Sequence, residues 1–284
     1  MSEQRLVLAL SCPERAGLVH EVSRFLVDHG CDILDNRQFG DRGTGRFSMR
    51  VEFLAHPELP TDELAERFGA VADRCGMDWT LRPGSDRPRL LVMASKASHC
   101  LNDLLYRWQT DTLSADIALV VSNHPDAGQL ARFHGVPFEH LPVRQDSKPA
   151  AEARLLELVD EHDISLVVLA RYMQILSDEL CERLRGRAIN IHHSFLPSFK
   201  GAKPYHQAYD RGVKFVGATA HYVTPQLDEG PIIEQELIRI DHTYSPEQLA
   251  KVGRDAECLA LSRAVRWHCE QRVFLDDDRT VVFS

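Results

Sequence analysis

The chain has 284 residues, enough for one large domain or two ordinary ones with a sizeable core. Its formal charge of −9 is offset by no stripe of Lys and Arg. That balance excludes nucleic acid as a main partner and leaves small molecules, including anions held in a locally basic pocket. No apolar run reaches the length of a membrane span, and Met1-Ser2-Glu3-Gln4-Arg5 lacks a secretory signal's apolar stretch, so a cytoplasmic location is expected. The seven cysteines are scattered singly with no CxxC pair, which indicates reduced thiols and neither a disulfide frame nor a zinc site.

In chain order, Arg5 to Ser11 reads as a strand and Gly17 to His29 as an amphipathic helix ending at Gly30. Cys31 to Phe39 and Arg46 to Phe53 read as strands joined by a turn rich in glycine. A helix from Thr61 to Cys75 and a strand from Met77 to Arg82 complete a ferredoxin-like βαββαβ unit over residues 1–83. Pro83-Gly84-Ser85-Asp86-Arg87-Pro88 is dense in chain breakers and marks a linker at 84–88. From 89 to 284 the rhythm changes. Buried-looking runs Leu90 to Ala94, Ile117 to Ser122, Leu166 to Leu169 and Ala188 to Ile191 alternate with helical stretches such as Lys148 to His162. This pattern predicts an α/β domain with a mostly parallel, doubly wound sheet. Val216 to Val223 and Pro231 to Ile240 read as a strand pair, and Pro246 to Cys269 as a long helix.

Ligand groups in such a sheet collect at the carboxyl ends of its strands. Asn190 and His192 stand where the strand Ala188 to Ile191 runs out, and the two-residue period puts them on one face. Asp228 precedes Gly230-Pro231, a rigid turn that fixes the carboxylate. An amide, an imidazole and a carboxylate together can polarise a carbonyl, hold an oxyanion and move a proton, with no metal, nucleotide or covalent nucleophile. The bland alternative is that Asn190 caps a turn and His192 is a half-buried histidine with a backbone partner. His192, His193, His206 and His221 invite a metal reading, but their spacing fits no compact ligand pattern, so no metal is expected.

The run Asn190-Ile191-His192-His193-Ser194-Phe195-Leu196-Pro197-Ser198-Phe199-Lys200-Gly201 resembles the formyltransferase-fold enzymes that handle 10-formyltetrahydrofolate. Gly217 to Val223 and Leu227-Asp228-Glu229-Gly230-Pro231-Ile232-Ile233 carry the same resemblance. With the leading domain included, the likeness is to the formyltetrahydrofolate deformylase family over the whole chain. It implies a hydrolase of one-carbon metabolism linked to purine biosynthesis, with 10-formyltetrahydrofolate as substrate and no prosthetic group. It also implies catalytic roles for Asn190, His192 and Asp228, with His221 as a supporting partner. Leu169 to Leu176 resembles the family's pterin-pocket segment. Met173, Gln174, Ile175 and Leu176 there, with Val223, Thr224 and Leu227, are the implied substrate-binding positions. Arg171, Lys200 and Lys203 are candidates for the anionic folate tail.

Ser95-Lys96-Ala97-Ser98-His99 stands where related glycinamide ribonucleotide formyltransferases carry a glycine-rich, phosphate-cradling turn. The replacement weakens transfer to a phosphorylated amine and leaves water as the acceptor. The alternative is a formyltransferase acting on a small amine; a silent amino-acid sensor is a third reading. A tRNA substrate is disfavoured by the acidic tail Asp276-Asp277-Asp278. Cys12 to Val19, followed by Gly30-Cys31-Asp32-Ile33, resembles the ACT amino-acid-binding domain. That likeness implies an amino-acid effector near Arg15, Ala16, Gly17, Asp32 and Ile33, with plain dimerisation as the alternative; a homo-oligomer is expected.

Overall fold

The computed structural model describes residues 4–144, 146–197 and 204–284, and these form two compact units. The first begins with β1 (Gln4–Pro13), α1 (Leu18–Asp28), β2 (Asp32–Asp41), β3 (Arg46–Ala55), α2 (Thr61–Cys75) and β4 (Asp78–Pro83). Its antiparallel sheet has the order β2-β3-β1-β4, as a βαββαβ unit requires. Leu6, Leu8 and Leu10 alternate along β1 and pack with Val22, Phe25, Leu64 and Phe68 of the two helices.

The second unit starts at Arg87. Its elements are β5 (Arg89–Ala94), α3 (His99–Gln109), β6 (Asp116–Ser122), α4 (Ala127–Phe133), β7 (Phe138–His140), α5 (Lys148–Glu161) and β8 (Leu166–Ala170). They continue with α6 (Asp178–Arg183), β9 (Ala188–His192), α7 (Pro204–Asp210), β10 (Phe215–Tyr222), β11 (Ile232–Arg239) and α8 (Pro246–Cys269). The seven strands run in the order β11-β10-β9-β8-β5-β6-β7. All pairings from β9 through β7 are parallel, whereas β10 is antiparallel to both β9 and β11. The chain leaves β5 toward β6 and β7, then returns to the other side of β5 with β8. A crevice forms outside the carboxyl ends at such a reversal. On one face, Leu155, Leu158 and Leu180 of α5 and α6 pack on Leu91, Val121 and Leu169 of the sheet. α8 packs across β9, β10 and β11.

A last hairpin, β12 (Val273–Asp276) and β13 (Arg279–Val282), departs from the expected boundary. Residues 270–284 cluster with the first unit, not with the domain to which the sequence reading assigned them. Phe274 and Phe283 bury themselves against Ala9 of β1. Arg50, buried on β3, donates to the Glu270 carbonyl at 3.0 Å. The reason was visible in β1: Leu6-Val7-Leu8-Ala9-Leu10 is apolar without alternation and buried at every position, as a strand covered on both faces must be. Asp276, read as part of an exposed acidic tail, is buried and accepts from the Thr44 hydroxyl at 2.7 Å.

Candidate active site

β9 delivers Asn190 and His192 to the same face, and β10 lies antiparallel beside it with His221 directly opposite Asn190. The connection from β10 to β11 then folds Asp228 back over both. Asp228 holds a left-handed backbone, φ 57°, which Asp tolerates better than most residues. Gly230 is the glycine this turn requires. A Cβ there would lie 1.8 Å from the Tyr222 carbonyl oxygen.

The resulting contacts form a chain. His192 Nδ1 stands 3.1 Å from Asp228 Oδ1, with both side chains buried. His192 Nε2 is buried and has no partner among the described residues. His221 Nδ1 is 2.9 Å from the Tyr222 carbonyl, which can only accept, so Nδ1 carries the proton. Nε2 of the neutral ring must then accept, and Asn190 Nδ2 donates to it at 3.2 Å. Asn190 is thereby oriented by His221, and its second amide hydrogen can serve a ligand in the cavity both line. Burial pushes His221 below the ordinary histidine range, in keeping with this neutral tautomer. For Asp228, burial pushes the carboxyl up, but the His192 hydrogen bond and charge outweigh it. The net position is below the usual carboxylate value, so Asp228 is an anion at neutral pH.

These groups line a cavity of about 330 Å³. Every expected substrate position lines it too: Met173, Gln174, Ile175, Leu176, His221, Val223, Thr224 and Leu227. Met173, Ile175 and Leu227 are exposed apolar side chains on its rim, a surface that otherwise costs solubility and that suits a flat ring. The Ser95 hydroxyl accepts from the Met173 amide at 3.0 Å and donates to Asn123 at 2.7 Å, which pins this segment to the end of β5. On the other side, the buried Thr219 hydroxyl donates to the Ser194 carbonyl and accepts from the Leu196 amide, fixing the loop after β9.

Leu169 and Tyr172, in the segment read as the pterin pocket, line the cavity as well, with Pro225 and Gln226; sequence reasoning missed Cys181, Ile191 and His193 as lining residues. His193 follows His192 directly, and its neighbourhood was the available signal. Arg171, offered as a cation for an anionic tail, has its Nε 3.3 Å from Glu257 Oε2, so its charge is matched inside the protein. Lys200 and Lys203 lie outside the described residues. Arg15, Ala16 and Gly17 form the exposed loop before α1, where Gly17 has φ 93°, and Asp32 and Ile33 open β2. Arg15 donates to the Arg74 carbonyl at 3.4 Å.

Among the described residues one set has metal-ligand character, namely His99, Cys100 and Glu257. The Arg171 guanidinium already faces the Glu257 carboxylate, which also accepts from His99 at 2.7 Å and from Tyr205 at 2.8 Å. It is an ion-pair cluster.

A sequence model of the formyl transferase family matches residues 88–265. A formyltetrahydrofolate deformylase of Corynebacterium sp. (strain P-1) is 55% identical, over 99% of this chain and 99% of its own length. The crystal structure of a formyltetrahydrofolate deformylase from Burkholderia mallei superposes with a TM-score of 0.95 at 52% identity, covering 99% of this chain and all of that one. A phosphoribosylglycinamide formyltransferase from Anaplasma phagocytophilum is more distant, with a TM-score of 0.65, 30% identity, and coverage of 70% of this chain and 96% of its own. Matched over its full length, with the fold and the cavity in place, the chain belongs to the formyltetrahydrofolate deformylase family.

Proposed function

We propose that the protein hydrolyses 10-formyltetrahydrofolate to tetrahydrofolate and formate. One observation carries the reading: His192 Nε2, without a partner among the described residues, belongs to an apolar-rimmed cavity beside Asn190, with the Asp228 anion behind the ring. Water attacks the formyl carbon and charge develops on the formyl oxygen. Asn190 Nδ2–H and the protonated Nε2–H of His192 donate to it, each such donor contributing roughly 3 kcal/mol of barrier lowering. Asp228, 3.1 Å from Nδ1, holds the ring in alignment. The carboxylate takes the proton of the attacking water and returns it to the departing N10 nitrogen. The C–N10 bond breaks, and no acyl-enzyme forms.

The pterin ring is held between the Met173–Leu176 segment and Val223–Leu227. The relatives matched along the full chain carry the deformylase name, which favours hydrolysis over transfer to an amine. Purified protein incubated with the formyl folate alone is expected to release formate; release that begins only on adding an amine would reverse the assignment.

The Arg15–Gly17 loop with Asp32 and Ile33 is the place for an amino-acid effector, since amides before α1 suit a carboxylate. Titration calorimetry with single amino acids checks this. No described helix is long and apolar enough to cross a membrane. A cytoplasmic homo-oligomer engaging neither membrane nor nucleic acid completes the reading.

A further inference from the structure

A second cavity of about 730 Å³ opens at the carboxyl ends of β5 and β6, with Lys96, His99, Asp126 and Arg254 on its walls. It shares no lining residue with the cavity that holds Asn190, His192 and Asp228. What separates them is narrow. Arg171 lines the first cavity and His99 the second, and both reach the same atom, Glu257 Oε2, at 3.3 and 2.7 Å. Glu257 is buried on α8, and its other oxygen accepts from the Tyr205 hydroxyl at 2.8 Å. The Tyr205 ring stands edge-on to His193, a residue of the first cavity.

This row is held under tension. Arg171 takes a left-handed backbone, φ 63°, which is disfavoured for a residue of its size. Two of its nitrogens are buried without hydrogen bonds among the described residues. Such strain persists only where the surroundings hold it, and it marks functional positions. The hydrolytic chemistry derived above uses none of His99, Glu257 or Arg171.

We propose that His99, Glu257 and Arg171 form a specificity wall that denies amines in the second cavity a path to the formyl carbon, so that water is the sole acceptor. The inference rests on the hydrolytic reading of the first cavity. A competing amine must bring its nitrogen to about 3 Å from that carbon. Its nitrogen then bonds to the formyl carbon and loses a proton, the C–N10 bond breaks, and N10 takes up a proton, giving a formamide and tetrahydrofolate. From the second cavity, the His99–Glu257–Arg171 row lies across that approach. Water is small enough to enter with the substrate. The Glu257 carboxyl lies below its ordinary range: burial raises it, but His99, Arg171 and Tyr205 together outweigh burial. Glu257 is therefore an anion at neutral pH, and the Arg171 guanidinium faces it.

The test is product partition. Protein and 10-formyltetrahydrofolate are incubated with glycinamide, a small primary amine, and formate and N-formylglycinamide are measured together. His99 is partly exposed, so H99A and H99S open the wall from the second cavity without unpairing Arg171 from Glu257. H99Q can still donate to Glu257 and is expected to match the wild type. The expected result is formate alone from the wild type, and a formamide-to-formate ratio raised at least about tenfold in H99A or H99S. A folded H99A or H99S that still releases formate at an unchanged ratio overturns the wall. So does a wild type that already formylates the amine as readily as these variants. A wild type that releases no formate without amine would instead sink the hydrolytic reading, and the two failures are distinct.

Discussion

His192 and Asp228, distant in sequence, meet at 3.1 Å with both side chains buried, and the imidazole nitrogen facing away from Asp228 has no partner among the described residues. A buried ring held on one side by an anion and open on the other is arranged for a ligand oxygen. Asp228→Asn keeps the volume and removes the charge. Turnover is expected to fall by about 10²–10⁴-fold with an unchanged circular dichroism spectrum. Activity close to wild type in the folded variant contradicts the role of Asp228.

Asn190 is positioned by His221, and the two substitutions should differ in size. Asn190→Ala removes an oxyanion donor and is expected to lower kcat by about 10²-fold or more, with little change in KM. His221→Leu leaves the amide in place but unanchored, and a smaller loss of roughly tenfold is expected. His221→Gln, which can still accept from Asn190, should recover part of it. Steady-state kinetics on the three variants decides whether the coupling is real.

Burial, with the nearby charges of Arg171 and His192, lowers His193 from 6.5 to about 4. The unfolded chain binds this proton near 6.5 and the folded chain only near 4, so protonation favours unfolding between those values. Stability is therefore present above pH 6.5, falls as pH drops through the window, and levels off below about 4. The loss is of the order of a few kcal/mol. Asp228 adds a loss only at lower pH, because its folded value lies beneath the ordinary 3.8. Melting temperatures of His193→Asn across this range should show a flatter profile than the wild type; parallel profiles would contradict the assignment.

Gly230 packs against the Tyr222 carbonyl, and a Cβ there would also come within 3.2 Å of His221 Nδ1. Both are parts of the hydrogen-bond chain that orients Asn190. Gly230→Ala is expected to destabilise by about 2 kcal/mol, a fall of roughly 4–8 °C in Tm, and to lower kcat in the protein that remains folded. Calorimetry with a matched rate assay checks both arms.

Much of this site was legible because its residues sit where local pattern is strongest. Asn190 and His192 end an apolar strand, and Asp228 precedes a Gly-Pro turn, so both places are marked by neighbours in the sequence. Glu257 carried no such mark. Inside the 24 residues of α8 a buried glutamate reads like any solvated one, and only tertiary packing reveals Arg171, His99 and Tyr205 around it. The short helices α4, α6 and α7 were likewise too brief to show a period. The assignment of residues 270–284 to the first unit depends on long-range burial of Phe274 and Phe283, which no local window contains. The unbroken apolar run of β1 was the one hint that something covers its second face.

The most direct measurement is oxygen transfer from solvent. In H₂¹⁸O without amine, the protein acting on 10-formyltetrahydrofolate is expected to release formate carrying one solvent-derived oxygen, at a rate that Asp228→Asn lowers by about 10²–10⁴-fold. Formate without label, or no formate until an amine is supplied, would contradict attack by water at the Asn190, His192 and Asp228 site.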